Sequence, residues 1–348
     1  MLVVVLIIAT SGMLQASSAE NKYTKDNPLI INFGHEDSNP DPYMNNKKTT
    51  AVLLKYYLEN ISGGRITLKE YPGTLGGAVE TLKQIQLGVI QMGVPHEGPT
   101  STIFPIVQVL AIPYLFANEY VADYVLDGWF GKEFAEEFLK QTGLRCLSFY
   151  SNSGFRHIVT SDKPVRSLED LKGLKLRTVE SEANMKIIEL MGAKATPIPW
   201  AEVYTAIQTG IVDGLDNNAN GVLVGTLYEV TKYITMEGHV YAPGLIVVNE
   251  QWFQSLPIEF QNYIKEAVEV SKWGSRVIVR MIEALGYERL AKEEGMEIIH
   301  LSKDDKASLK EKTQGPFTEW LRKRVDPAWV DKVLKAVKEA EQSRQFYK

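Results

Sequence analysis

Residues 85–93 read IQLGVIQMG and residues 207–215 read IQTGIVDGL, so nearly the same phrase occurs twice in the chain. In each copy a helical pattern runs into a glycine, Gly88 or Gly210, where the C-terminal cap of a helix is expected. A strand pattern follows the glycine in both copies. Because the two phrases occupy the same place between a helix and a strand, they predict two related α/β domains.

The segments around both copies alternate between strand and helix patterns. LIINFGHE (29–36) and RITLKEY (65–71) read as strands before the first copy, and LRCLSFYSNS (144–153) and LKLRTV (174–179) read as strands before the second. This rhythm is typical of a largely parallel sheet covered by helices. From Pro257 to about Glu294 the pattern is helical and long enough to lie across both domains.

Composition limits the class of protein. A chain of 348 residues exceeds the usual size of one domain, and 45% hydrophobic and 23% charged residues are typical of a globular protein. The net charge of −5 argues against a nucleic-acid surface. Residues 1–19 carry no charge and open on an apolar run too short to span a bilayer, so we interpret them as a signal peptide cleaved before Glu20.

The motifs of the common enzyme and metal classes are absent from the sequence. It contains no nucleophile elbow, P-loop, dinucleotide fingerprint, H-E-x-x-H or C-x-x-C. TGIVDGLDNN (209–218) fails the calcium-loop pattern because Leu215 stands where an oxygen ligand is needed. The single cysteine, Cys146, reads as a buried strand residue. We therefore expect no metal, no cofactor and no covalent chemistry.

Two arginines follow predicted strands at the edge where open α/β sheets bind ligands. Arg177 follows Leu174-Lys175-Leu176 in the strand LKLRTV, and Arg156 follows the strand that ends near Tyr150. A guanidinium in such a place is costly unless it is paired, and its planar fork suits a carboxylate. Two explanations stay open for these arginines: a salt bridge to a local acid such as Asp213 or Asp216, or a ligand carboxylate.

Longer stretches of text resemble the TRAP-transporter solute-binding proteins. The resemblance is carried by GLKLRTVESEANMKIIELMGAKATPIPWAEVYTAIQTGIVDGLDNN (173–218), by LGGAVETLKQIQLGVIQMG with IPYLF in the first half, and by YITMEGHVYAPGLIVVN with WFQSLP in the second. It covers nearly all of the chain after the proposed signal peptide, with its motifs in order. Two positions depart from the family pattern: Asp216 replaces the usual glutamate, and Asn218 replaces the usual proline.

The resemblance implies a set of ligand-binding residues. It assigns Arg177 to the substrate carboxylate, Arg156 to a supporting role and Asn217 to a ligand contact, and it makes Trp200 a wall of the pocket. Less directly, it places loops from the first domain in the cleft. The substrate-binding residues we predict are Arg177, Arg156, Asn217, Trp200, Glu36 and His96.

The chemistry of the predicted site favours a monocarboxylate. Glu36, if it faces the cleft, would repel a second carboxylate and favour hydroxyl or amino groups on the ligand. Trp200 and His96 favour a ring-bearing or polyhydroxylated acid over a compact dicarboxylate.

The resemblance also implies the architecture and the role. It implies two α/β domains of the Venus-flytrap kind around a central cleft, with residues 28–153 and 243–285 in one domain and residues 154–242 and 286–348 in the other. A monomer in the periplasm would deliver the organic acid to the small and large membrane subunits of a permease. Two alternatives stay open: a binding subunit of an ATP-driven importer or sensor, and a secreted hydrolase or lyase using Asp213, Asp216 and a histidine.

Overall fold

The computed structural model describes residues 22–43 and 45–343, so the proposed signal peptide lies outside the described residues. The strands are β1 Leu29–His35, β2 Ile66–Pro72, β3 Met92–Gly93, β4 Leu144–Thr160, β5 Lys175–Thr178, β6 Lys194–Pro197, β7 Gly214–Asn217, β8 Tyr233–Asn249 and β9 Glu297–His300. The α-helices are α1 Asn46–Ile61, α2 Ala78–Gln86, α3 Glu97–Thr100, α4 Glu119–Asp127, α5 Trp129–Thr142, α6 Glu182–Met191, α7 Val203–Gln208, α8 Ala219–Val224, α9 Glu250–Gln254, α10 Ile258–Lys292, α11 Lys303–Arg322 and α12 Pro327–Ser343. Short 3-10 helices cover Pro105–Ala111, Leu168–Leu171, Trp200–Glu202 and Leu227–Glu229.

The strands formed by the described residues join in one mixed sheet, in the order β2-β1-β3-β8-β4-β7-β5-β6, with β9 paired to β8. Each end of this order is a parallel unit, β2-β1-β3 at one end and β7-β5-β6 at the other. Both units meet the centre through antiparallel pairs, β3 with β8 and β7 with β4. The α/β class predicted from the sequence is confirmed, with two similar units rather than one.

The centre of the sheet is a pair of long strands. β4 and β8 each have 17 residues and pair antiparallel along most of their length. The register shifts between Ser151 and Gly154, where Gly154 adopts a φ of +68° that favours glycine. The sequence predicted only residues 144–153 of β4, because the polar run that ends at Ser153 and the glycine after it are typical of the end of a strand.

The repeated phrase is also a repeated structure. In the first copy Gly88 has a φ of +74°, its amide donates to Ile85 O at 3.0 Å, and the next amide, Val89, donates to Gln84 O at 2.9 Å. In the second copy Gly210 has a φ of +74°, and it donates to Ile207 O at 3.0 Å. Both helices therefore end in the same glycine cap and lead to the strand that pairs with a long central strand.

The strand predicted over residues 89–94 is shorter than expected. Only Met92–Gly93 forms regular ladder pairs, with β1 on one side and β8 on the other. The amides of Val89 and Ile90 before it donate to Gln84 O at the end of the helix, and Pro95 after it has no amide hydrogen to donate.

The long helix α10 runs unbroken for 35 residues and contacts both ends of the molecule. It packs on α1, β4, α8 and β9. Its contacts with β4 include Arg276 with Phe149 and Tyr287 with His157. The C-terminal helix α12 packs on α4 and α5, which precede β4. The division of the chain into two domains stays a prediction. Among the described residues, no helix is long and apolar enough to cross a membrane.

Candidate functional site

One cavity lies between the two parallel units, at the carboxyl ends of their strands. All of the site residues predicted from the sequence line it: Glu36, His96, Arg156, Arg177, Trp200 and Asn217. We call Arg156, Arg177, Trp200 and Asn217 the clamp wall. Residues Glu36, Asp37, Lys47 and His96 face them and are called the acidic wall.

Arg177 of the clamp wall is buried without an acidic partner. It is only 3% exposed, and its Nε donates to the carbonyl oxygen of Ile198 at 2.8 Å. The ring of Trp200 lies 5.8 Å from the guanidinium carbon, a distance that allows a cation–π contact. Within residues 22–43 and 45–343, no carboxylate forms an ion pair with it. Burial and the neighbouring charge of Arg156 lower the pKa of Arg177 to about 10.

Arg156, in contrast, is paired with an internal acid. Its Nε donates to Asp216 Oδ2 at 2.5 Å, and its Nη2 donates to the Asp216 carbonyl oxygen at 2.6 Å. Of the two explanations left open by the sequence, the local salt bridge therefore applies to Arg156 and not to Arg177. Asp213 pairs with neither arginine, because its Oδ2 accepts from the backbone amide of Lys175 at 2.8 Å.

A second layer of charges stands behind Asp216. His239 Nε2 lies 3.6 Å from Asp216 Oδ2, and His239 Nδ1 lies 2.6 Å from Glu237 Oε1. Burial by itself would lower the pKa of His239, but Glu237 and Asp216 on its two sides raise that pKa to about 9. A protonated His239 thus holds Asp216 in place, and Asp216 holds Arg156.

Asn217 is fixed by the start of the helix that follows it. Its Oδ1 accepts from the Asn218 amide at 3.0 Å, and a Cβ on Gly221 would stand 2.3 Å from its side-chain nitrogen and oxygen. Asn218 caps α8 by accepting from the Gly221 amide at 2.9 Å. These contacts leave the amide group of Asn217 at the cavity.

The acidic wall is built around a buried lysine. Lys47 Nζ forms an ion pair with Glu36 Oε1 and lies 3.1 Å from Asp37 Oδ2. His96 Nε2 lies 3.6 Å from Glu36 Oε1. Burial by itself would raise the pKa of Glu36, but the charges of Lys47 and His96 outweigh it and lower that pKa to about 2.

Several cavity residues were not predicted from the sequence. Lys47 and Asn46 open α1, and Asn152 and Ser153 lie where β4 crosses between the two units. The position of Lys47 could have been noticed in the sequence, because a cation in the first turn of a helix opposes the helix dipole and is unfavourable unless another interaction compensates for it. The remaining unpredicted lining residues are Asp37, Val179, Asn220, Gly221 and Val224.

The sequence also matches the model of a known protein family. The model of the family described as bacterial extracellular solute-binding protein, family 7 (DctP) matches residues 33–323. The chain belongs to this family.

Two proteins similar to this family 7 chain are named for acids of the sugar series. The 2,3-diketo-L-gulonate-binding periplasmic protein YiaO of Escherichia coli (strain K12) is 30% identical over 275 residues, which cover 77% of this chain and 80% of YiaO. The crystal structure of the sugar acid binding protein DctPAm from Advenella mimigardefordensis, in complex with galactonate, matches with a TM-score of 0.84 at 28% identity. That match covers 90% of this chain and 99% of DctPAm.

A third similar protein is a TRAP periplasmic solute-binding protein from Anaerococcus prevotii with bound α/β-D-glucuronate. Its structure matches with a TM-score of 0.82 at 27% identity and covers 91% of this chain and 99% of that one. The two-unit architecture of the family 7 chain is therefore that of the TRAP periplasmic binding proteins, as its sequence predicted.

The remaining candidate chemistry is sparse in the family 7 chain. In the part of the chain that the structure describes, no group of three or more His, Cys, Asp or Glu side chains is placed to hold a metal ion. Cys146 lies in β4, where burial raises the pKa of its thiol to about 12, so it is a poor nucleophile.

Proposed function

We propose that this TRAP solute-binding protein captures an organic monocarboxylate outside the cytoplasm and delivers it to a membrane permease. In this proposal the ligand carboxylate binds Arg177, with Arg156, Asn217 and Trp200 as further ligand contacts, and the acidic wall receives the other end. No bond is made or broken in the ligand, so turnover of a bound acid by the purified protein would contradict the proposal.

The observation that carries the proposal is the unpaired charge of Arg177. Removing a charge from water costs several kcal/mol unless a counter-charge is supplied. Asp216 supplies this counter-charge for Arg156. Among the described residues, Arg177 instead donates one hydrogen bond to the carbonyl oxygen of Ile198 and lies near the ring of Trp200. A ligand carboxylate would supply both the missing charge and acceptors for the guanidinium hydrogens.

The charges on the acidic wall favour a ligand with one carboxylate over a ligand with two. Glu36 and Asp37 both lie at the cavity, opposite Arg177, and a second carboxylate on the ligand would meet them. Hydroxyl groups at that end would instead donate to them. The ligands named for YiaO, DctPAm and the Anaerococcus prevotii protein are acids of this kind.

The proposed export of the protein and the delivery of its ligand to a permease are supported by membership of the family. The name of YiaO describes a periplasmic protein, and residues 1–19 of this chain have the composition of a signal peptide. A location in the periplasm, and a permease of one small and one large membrane subunit as the partner, follow from that membership. Genes for two such membrane proteins beside this one, without an ATPase gene, would separate this partner from an ATP-driven importer.

The test is a ligand screen followed by substitution of Arg177. A thermal-shift screen of organic acids should show stabilisation by monocarboxylates, because a ligand that binds the native state raises the melting temperature. For the best acid, Arg177→Ala should weaken binding at least about thirtyfold in calorimetry, since removing one partner of a buried charge pair costs roughly 2–5 kcal/mol. Arg177→Lys should recover little, because an ammonium lacks the planar fork.

Arg166→Ala is the matched control. Arg166 is exposed, pairs with Glu297 at the surface and lies outside the cavity, so its loss should leave affinity unchanged. Near-native affinity in a folded Arg177→Ala protein would contradict the carboxylate clamp.

A further inference from the structure

Lys47 occupies an unusual position for a lysine. It lies in the first turn of α1, with its side chain only 5% exposed, and forms ion pairs with both Glu36 and Asp37. A cation at the start of a helix opposes the helix dipole, and burial of its ammonium adds a desolvation cost. The next residue, Lys48, is an ordinary contrast, since it pairs with Glu70 beyond the cavity and keeps more of its side chain in solvent.

Lys47 sets the charge balance of the acidic wall. Two carboxylates, Glu36 and Asp37, and one ammonium leave a formal charge of −1 among these groups. Without Lys47 the same wall would present two adjacent carboxylates and no fixed cation. On the clamp wall, Arg156 is neutralised by Asp216, which leaves the charge of Arg177 for the ligand.

Three kinds of group at the far end of a ligand would meet this wall differently. A carboxylate would be repelled by Glu36 and Asp37. An ammonium group would be attracted by the net negative charge, but it would have to displace the Lys47 ammonium, which already bridges both carboxylates and lies too close for a second cation. A hydroxyl group carries no charge, donates to a carboxylate and accepts from an ammonium. The wall therefore matches neutral groups that both donate and accept.

Building on the proposed function, we propose that Lys47 is a specificity-determining residue that selects hydroxyl groups at the end of the ligand remote from its carboxylate. The ligand class that follows is a polyhydroxylated monocarboxylate, and acids with a distal amino group or a second carboxylate are rejected. Removing Lys47 should turn the preference toward an amino group.

A matched series of acids tests this proposal. D-galactonate, 6-amino-6-deoxy-D-galactonate and galactarate share one carbon chain and differ in the distal group, which is a hydroxyl, an ammonium or a carboxylate. The unaltered protein should bind galactonate at least about tenfold more tightly than either of the others, as expected for a loss of about 1.4 kcal/mol or more. Lys47→Gln should reverse the order of galactonate and its amino analogue.

Two further variants keep the test decisive if Lys47→Gln does not fold. Glu36→Gln and Asp37→Asn each remove one carboxylate and leave Lys47 in place, so each should improve the binding of galactarate relative to galactonate at least about tenfold. Lys48→Gln is the control and should keep the order of the unaltered protein.

The outcomes separate this proposal from the proposed function. If the unaltered protein prefers galactonate and a folded Lys47→Gln protein keeps that order, the role of Lys47 is wrong while carboxylate binding stands. If the unaltered protein binds the amino analogue or galactarate best, or binds none of the three, the selection of hydroxyl groups is wrong. If it binds no carboxylate in a broad screen, the proposed function itself fails.

Discussion

The sequence predicted where Arg177 and Arg156 lie, but not which of them is paired with an acid. Their positions after predicted strands placed both at the binding edge, and both line the cavity. The sequence left open which of them is paired, because Asp213 and Asp216 stand near each other in the chain and only the pairing of β4 with β7 brings Asp216 to Arg156. Which charged residues pair across a sheet depends on the register of its strands, and this register cannot be read from one segment of the sequence.

Glu283 of α10 gives a pH-dependent prediction at the residue scale. Its Oε1 accepts from Asn218 Nδ2 at 2.6 Å, and its Oε2 lies 3.1 Å from the hydroxyl of Tyr287. Burial, aided by the charge of Glu119, raises the pKa of Glu283 from 4.5 to about 8, although its two hydrogen bonds act in the opposite direction. The folded protein thus binds a proton at Glu283 that the unfolded chain releases between these pH values.

The sign of the effect follows from proton linkage. Between pH 4.5 and 8 the folded state holds more protons at Glu283, so its contribution to the free energy of unfolding falls as pH rises. Glu283→Gln keeps the acceptor oxygen and cannot ionise, so its stability relative to the unaltered protein should increase steadily toward pH 8. Urea unfolding from pH 5 to 8.5 measures this difference, and the titration of His239, which is present in both proteins, cancels.

The control for Glu283 is an exposed acid on the same helix. Glu288→Gln removes a surface pair with Lys292 and should show little change across the same pH range. Stability curves of Glu283→Gln and unaltered protein that run parallel with pH would show that Glu283 is already ionised at pH 5.

At the scale of elements, the sequence predicted the parts governed by local rules. The glycine caps of the repeated phrase are present as predicted, because each involves only residues close in the chain. The prediction was weaker for β3, where two residues form the ladder, and for the full length of β4. Strand length there depends on the neighbouring strands rather than on local pattern.

The start of α8 supplies a prediction at this scale. Gly221 has no side chain to fill the space occupied by Asn217, and a Cβ there would stand 2.3 Å from the Asn217 amide atoms. Gly221→Ala should displace Asn217 from the cavity while the helix itself forms. We expect ligand affinity in calorimetry to fall about tenfold or more, as for the loss of one hydrogen bond to a charged group, with an unchanged circular dichroism spectrum.

Gly315→Ala in α11 is the control for this substitution. Its Cβ would have no atom within 4 Å, and the residue lies outside the cavity, so affinity should not change. Unaltered affinity in Gly221→Ala would mean that Asn217 is not a ligand contact.

At the scale of the molecule, the sequence anticipated two similar units and a long helix, but not how the units join. β4 and β8 carry the sheet from one unit to the other, and the acidic wall from the first unit faces the clamp wall from the second. This arrangement depends on contacts between residues more than a hundred positions apart, such as Asn39 with Val224. Such contacts are a property of the folded whole, because no local pattern specifies them.

The contact between Asn39 and Val224 leads to a prediction about closure. Asn39 Nδ2 lies 3.4 Å from the Val224 carbonyl oxygen, and Val224 lines the cavity, so this contact joins the two units beside the binding site. A ligand that touches both walls favours the conformation in which they face each other. In the double variant Asn39→Cys with Val224→Cys, ligand should therefore increase the yield of an intramolecular cross-link by a short bis-maleimide.

Mass spectrometry of the cross-linked product measures that yield, and Cys146 reacts slowly with the maleimide because its partly buried thiol has a raised pKa. The cross-linked, loaded protein should also retain its acid through dialysis that empties the two single-cysteine variants treated in the same way. A yield that is the same with and without ligand would mean that the two units do not move apart in the empty protein. In that case the ligand would enter a cleft that is already closed, and the rate of binding would be limited by local opening rather than by the motion of whole domains.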